Sequence, residues 1–258
     1  MTPPAIAIDD VTLGYDGHPA VHHLSGSFAP GSLTAVVGPN GSGKSTLLKG
    51  IMGMLPTLGG TIALPQRDIA YLPQRADLDR EFPACVTDLV MLGLWAERGN
   101  FAGIGGSDRQ RIAAALATVG LEGYGRRGLD TLSGGQLQRT LFARLLLQDA
   151  AVILLDEPFT GIDESTVADL MRLVEGWHAD GRTVIAVLHD LDLVRRHFPK
   201  TLLLAREPIG WGATEEVLSP DNLKRARHMP AAWDEHAPWH DGQTPPATGH
   251  DHHAGHAH

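Results

Sequence analysis

The chain is poor in several things, and each shortage narrows what it can be. It has one cysteine, Cys85, so it can form no internal disulfide, and that usage fits a reducing compartment. No apolar run approaches the roughly 20 residues that a membrane-spanning helix requires; Ala150–Leu155 is among the longest. Positive charge is scarce, with 21 Lys and Arg against 30 Asp and Glu and a net charge of −9. Sequence-independent nucleic-acid binding needs clustered cations, so no nucleic-acid partner is expected. The opening MTPPAIAIDDVTLGY carries neither a basic start nor an apolar core of the kind a secretory signal has. A cytoplasmic chain is predicted, reaching a membrane only through a partner.

The composition is 43% hydrophobic and 20% charged, which suits a globule with a real core. At 258 residues the chain is long enough for one domain with an inserted subdomain. LTAVVG (33–38), AVILLD (151–156) and TVIAVLHD (183–190) are short, aliphatic and without alternation, the pattern of strands buried on both faces. They alternate with longer helical patterns, so an α/β fold with a mainly parallel sheet is predicted. From about 76 to 132 the pattern turns helical, with glycine-rich joints at 99–106 and 120–128, and this stretch is expected to form an inserted helical subdomain. Residues 1–230 are then the folded domain. Residues 231–258 have almost no aliphatics and are expected to be disordered.

GPNGSGKST places Gly38, Asn40, Gly41, Ser42, Gly43, Lys44, Ser45 and Thr46 between a buried strand and a helix-like segment. This is the G-x-x-x-x-G-K-[ST] phosphate loop in the context it requires. Glycines let successive N–H groups curl around phosphate oxygens, and the helix N-terminus adds its dipole. Lys44 brings charge to the β- and γ-phosphates of ATP, and the Ser45 hydroxyl is placed to ligate Mg²⁺. VILLDEP supplies Asp156 and Glu157 at a strand's C-terminal end. Asp156 is expected at Mg²⁺, and Glu157 is the candidate to orient and deprotonate the attacking water. Adjacent acids after a strand could also serve only as a helix N-cap.

LSGGQ, residues Leu132 to Gln136, matches the signature of ATP-binding cassette (ABC) ATPases, and the chain resembles that family over nearly all of 5–225. The resemblance implies a P-loop NTPase core with a mainly parallel sheet, an antiparallel β part at the N-terminus and the helical insertion. It also implies roles for single residues. Tyr15 would stack on adenine, and Gln74 in YLPQR would link Mg²⁺ and water to a membrane partner. Asp163 in FTGID would bridge two subunits, and His189 in VLHD would contact the γ-phosphate. Leu188 departs from the small polar residue many relatives have there. Ser133, Gly134, Gly135 and Gln136 open a helix, forming a second anion-binding terminus. In the family it faces the ATP of a second copy packed head to tail, so a C₂ dimer is implied.

An ABC cassette without a membrane span implies separate integral permease subunits and a site on the cytoplasmic face of the cell membrane. The wording LLDEPFTGID and GWGATEEVLSPDNL (210–223) resembles the zinc/manganese/iron importer branch, which implies a metal-binding protein on the outer side as an indirect partner. The alternative is an ABC ATPase with no part in transport, serving iron–sulfur cluster assembly or nucleic-acid machinery. From 231 onward there are seven histidines, at 236, 240, 250, 252, 253, 256 and 258, with four acids and no Lys or Arg. Neutral imidazole suits Zn²⁺, and His250, His252, His253, His256 and His258 could gather around one ion. A tail under no metal selection would have the same composition. Zinc leads as cargo, ahead of manganese or iron.

Overall fold

Strands buried on both faces need a core on each side, and that requirement organises the molecule. The computed structural model describes residues 6–64, 68–74, 83–95 and 105–228. Strands β3 (Leu33–Val37), β5 (Ile69–Leu72), β6 (Val152–Asp156), β7 (Thr183–Val187), β8 (Lys200–Ala205) and β9 (Glu207–Ala213) form one sheet. Its order is β5-β6-β7-β3-β8-β9. The first five run parallel and β9 closes the edge antiparallel to β8. Successive side chains leave a strand on opposite faces. Val152 and Leu154 accordingly enter one core, while Ile153 and Leu155 enter the other.

The first core is closed by an antiparallel sheet, β2-β1-β4, built from β1 (Ile6–Tyr15), β2 (His18–Phe28) and β4 (Thr57–Ala63). Ile6, Ile8, Val11, Leu13 and Phe28 pack there with Leu47, Leu48 and Ile51 of helix α1 (Lys44–Ile51). The second core is helical. Between β5 and β6 the described residues include α2 (Val86–Met91) and α3 (Gly106–Thr118), followed by α4 (Gly134–Gln148). Helix α5 (Glu164–Ala179) runs between β6 and β7, and α6 (Leu191–His197) between β7 and β8. After β9 come α7 (Thr214–Val217) and α8 (Pro220–His228). Val90, Leu116, Leu141, Met171 and Val184 belong to one continuous cluster, so the helices share a core with the sheet face. No helix among the described residues is long and apolar enough to cross a membrane.

Three rings fasten α4 to the rest. Phe142 is fully buried, with ring centroids 5.7 Å from Trp177 on α5 and 6.4 Å from Phe159 in the loop after β6. Truncating it removes both ring contacts and leaves a cavity. Phe142→Ala should therefore lower unfolding free energy by about 3–5 kcal/mol, read as a shifted midpoint in denaturant. A loss under about 1 kcal/mol would show that these rings do not anchor α4.

Candidate nucleotide-binding site

Register brings the distant motifs together. Leu72, Leu155, Ala186 and Ala35 lie in one row across β5, β6, β7 and β3. A few residues beyond that row, the four chains leave the same edge of the sheet and carry Gln74, Glu157, His189 and Gly38. The C-terminal edge of a parallel sheet is where such folds place ligands.

The loop after β3 has no room for side chains at two points. A Cβ on Gly38 would sit 1.9 Å from the Leu204 carbonyl oxygen. Gly43 caps α1 with φ 91°, and a Cβ there would lie 2.4 Å from Val21 and 2.6 Å from the Ala20 carbonyl oxygen of β2. The β1–β2 hairpin, which carries Tyr15, thus abuts the loop. Lys44 folds back, its Nζ donating to the carbonyls of Gly38 (3.0 Å) and Pro39 (2.8 Å). Burial pulls its pKa below the usual lysine value, with the charges of Glu157 and Asp156 opposing.

The acids face this loop with different surroundings. Asp156 is 1% exposed; its Oδ1 accepts from Ser45 Oγ at 3.0 Å, and its Oδ2 lies 3.5 Å from the Tyr71 hydroxyl. Burial pushes the Asp156 carboxyl above its ordinary value, and the Ser45 hydrogen bond opposes that. Glu157 adopts φ 50°, an uncommon backbone for a residue with a side chain. Its N–H is held by the Val187 carbonyl at 3.2 Å. Its Oε1 is 2.7 Å from His189 Nε2, and its Oε2 accepts from Gln74 Nε2 at 3.1 Å and Thr160 Oγ1 at 3.3 Å. Burial pushes Glu157 up, but the His189 hydrogen bond and charge, Thr160 and Lys44 outweigh it and hold the carboxyl below its usual range.

A cavity of about 570 Å³ is walled by Asn40, Gly41, Ser42, Gly43, Lys44, Ser45, Thr46, Gln74, Glu157 and His189, with Asp156 outside the lining but bonded to Ser45. Its chemistry fits a nucleotide with Mg²⁺: the Ser45 hydroxyl and the Asp156 carboxylate stand together as hard oxygen donors beside a glycine-rich loop and Lys44. Thr160 and Tyr71 were not among the residues singled out from sequence. Tyr71 lies in YLPQR and Thr160 in FTGID, but neither stretch shows that the hydroxyl faces an acid.

Other expected residues stand outside this cavity lining. Tyr15 ends β1 with 45% exposure. Ser133 caps α4: its Oγ accepts from Gln136 N–H at 3.2 Å, and Gln136 Oε1 accepts from Ser133 N–H at 3.0 Å, a reciprocal capping box. Asp163 caps α5, taking Ser165 Oγ and Thr166 N–H on Oδ1 and Thr166 Oγ1 on Oδ2. Those bonds, Ser165 first, push its carboxyl pKa far down. A Cβ on Gly135 would lie 3.6 Å from Asp163 Oδ2, so the signature turn and this cap are neighbours within one chain. Arg139 on α4 braces the pair by donating to Val119 O at 3.0 Å and to Asp169 on α5 at 2.5 Å. The histidine-rich segment, with His250, His252, His253, His256 and His258, lies outside the described residues.

A buried acid with a raised pKa destabilises the fold when it is ionised. Its folded value lies above its unfolded one. The cost is therefore absent in acid, grows as pH rises through the raised value, and is complete above it. Asp156→Asn should melt above the unmodified protein at pH 7 without nucleotide, and the gap should shrink as pH falls into the carboxylate range. An Asn variant that melts lower at pH 7 would show that the ionised acid is stabilised in the free fold.

The ABC transporter family profile matches residues 21–160. The manganese transport system ATP-binding protein MntB of Listeria monocytogenes serovar 1/2a is 38% identical over 226 residues, covering 85% of this chain and 94% of that protein. The zinc transport system ATP-binding protein TroB of Treponema pallidum is 36% identical over 229 residues, covering 86% of each. Among solved structures, a metal-chelate type ABC transporter in an inward-facing conformation superposes with a TM-score of 0.78 at 29% identity, covering 87% of this chain and 89% of that one. The ADP conformation of the cassette MJ1267, at 21% identity and a TM-score of 0.72, shares the fold. The chain belongs to the ABC transporter family, whose ATP-binding subunits hydrolyse ATP to power transport.

Proposed function

We propose that this chain binds and hydrolyses ATP to drive uptake of a divalent metal, zinc or manganese, through separate membrane permease subunits. The observation that carries the ATPase reading is the convergence of Gln74, Thr160 and His189 on the carboxylate of Glu157, one residue after the acid that faces Ser45. The loop N–H groups from Gly41 to Thr46 and the Lys44 ammonium hold the β- and γ-phosphates. Ser45, Asp156 and the Gln74 side-chain carbonyl would supply oxygens to Mg²⁺, which would neutralise phosphate charge there. Glu157, held ionised by its neighbours, orients a water on the γ-phosphorus and accepts its proton as the P–O bond to ADP breaks. His189 turns the carboxylate and reaches the γ-phosphate side.

Tyr15, on the hairpin abutting the loop, stacks on adenine. Ser133, Gly134, Gly135 and Gln136 open the 15-residue helix α4, outside their own chain's cavity lining. They close on the ATP of a second copy, and Asp163 reaches across the same seam. A head-to-tail dimer on the cytoplasmic face of the membrane results. The cargo assignment rests on the relatives named for manganese and zinc transport. With the permease and an outer metal-binding protein reconstituted, ATPase should rise with loaded Zn²⁺ or Mn²⁺. Equal rates with and without metal would refute metal transport.

Glu157→Gln keeps size and hydrogen bonding but removes the base. ATP should still bind while turnover falls by at least roughly a hundredfold; near-normal turnover would show that the base lies elsewhere. The tail carries a separate expectation. The full chain should bind Zn²⁺ through imidazoles, a chain ending at Pro230 should not, and binding should weaken as pH falls through about 6.5. Equal Zn²⁺ binding by both chains in calorimetry would clear the histidines of any part.

A further inference from the structure

Tyr71, outside the recognised motif residues, touches the site through its side chain and is fixed through its backbone. Its hydroxyl faces Oδ2 of Asp156 at 3.5 Å, and its carbonyl accepts from Arg144 Nη2 at 2.5 Å. The register explains the reach. Tyr71 on β5 lies opposite Leu154 on β6, two residues before Asp156 on the same face, and a ring spans that diagonal. Arg144 projects from α4, the helix that Ser133 caps, and its long side chain is partly buried where it meets β5.

The two oxygens of Asp156 are therefore served by different hydroxyls, Ser45 on Oδ1 and Tyr71 on Oδ2. Asp156 is 1% exposed, so bulk water does not complete its hydrogen bonding. The Ser45 hydroxyl can keep donating its proton to Oδ1 while a lone pair meets a cation, so Oδ1 must stay aimed at it. The phenol faces the other oxygen. We propose that Tyr71 is a positioning residue for the magnesium site, its hydroxyl holding Oδ2 so that Oδ1 stays directed at the Ser45 side, with Arg144 fixing the strand that carries it. This rests on Asp156 and Ser45 serving Mg²⁺.

The test is the gain in ADP affinity on adding Mg²⁺, measured by calorimetry in EDTA and in Mg²⁺ on the full chain. Tyr71→Phe keeps the ring. Its affinity in EDTA should match that of the unmodified protein, with a small drop in melting temperature from the bond lost to a buried carboxylate, while the Mg²⁺ gain falls about three- to tenfold, the worth of one hydrogen bond. Asp156→Asn should lose the gain, and adding Tyr71→Phe to it should change nothing more, as a residue acting through Asp156 must behave. A full gain in Tyr71→Phe beside a lost gain in Asp156→Asn overturns the role of Tyr71 alone. Equal weakening in EDTA and Mg²⁺ also overturns it, because that is a packing effect. An undiminished gain in Asp156→Asn removes the magnesium assignment beneath it.

Discussion

The site depends on one constraint: β3, β5, β6 and β7 must stay in a fixed parallel register. Parallel pairing lines up Ala35, Ala186, Leu155 and Leu72, so the residues just past the row emerge side by side. A slip of one residue would turn each aliphatic side chain to the opposite core and send the acids to the wrong face. The two apolar clusters, one on each side of the sheet, are what forbid the slip. Packing far from the chemistry thus sets the distance from Ser45 to Asp156.

The free fold holds its chemistry under tension. Asp156 is buried and pushed toward its neutral form, Lys44 is buried and pulled toward its own, and Glu157 occupies a left-handed backbone position. Each arrangement is unfavourable in isolation, and each is answered by a specific partner: Ser45 for Asp156, loop carbonyls for Lys44, the Val187 carbonyl for the Glu157 N–H. Groups prepared in this way need little rearrangement to meet a polyphosphate and its cation. The stability lost is the usual accompaniment of a working site.

How much was legible in the sequence follows from distance along the chain. The phosphate loop was readable because its residues are contiguous and its glycines answer to local backbone demands, as at Gly38 and Gly43. The parallel core was readable because strands such as VILLD are aliphatic throughout. Tyr71 and Thr160 were not singled out, because a hydroxyl facing a carboxylate leaves no local pattern; Tyr71 and Asp156 are 85 positions apart. The brace from Arg139 to Asp169 is of the same kind, joining α4 to α5 through side chains alone. Motif wording could name Gln74, Glu157 and His189 separately, and only the register explains why they meet on one carboxylate.

Ser133 opens α4 outside its own chain's cavity lining, and in the proposed function a second chain completes the ATP site. Light scattering of the Glu157→Gln protein with ATP and Mg²⁺ reads this as a mass. The expected result is a dimer with ATP, a monomer with ADP, and a monomer with ATP once Ser133→Arg is added, since its bulk blocks the opposing phosphate pocket. A Ser133→Arg protein that still dimerises with ATP, or a Glu157→Gln protein that remains a monomer, would contradict the shared site.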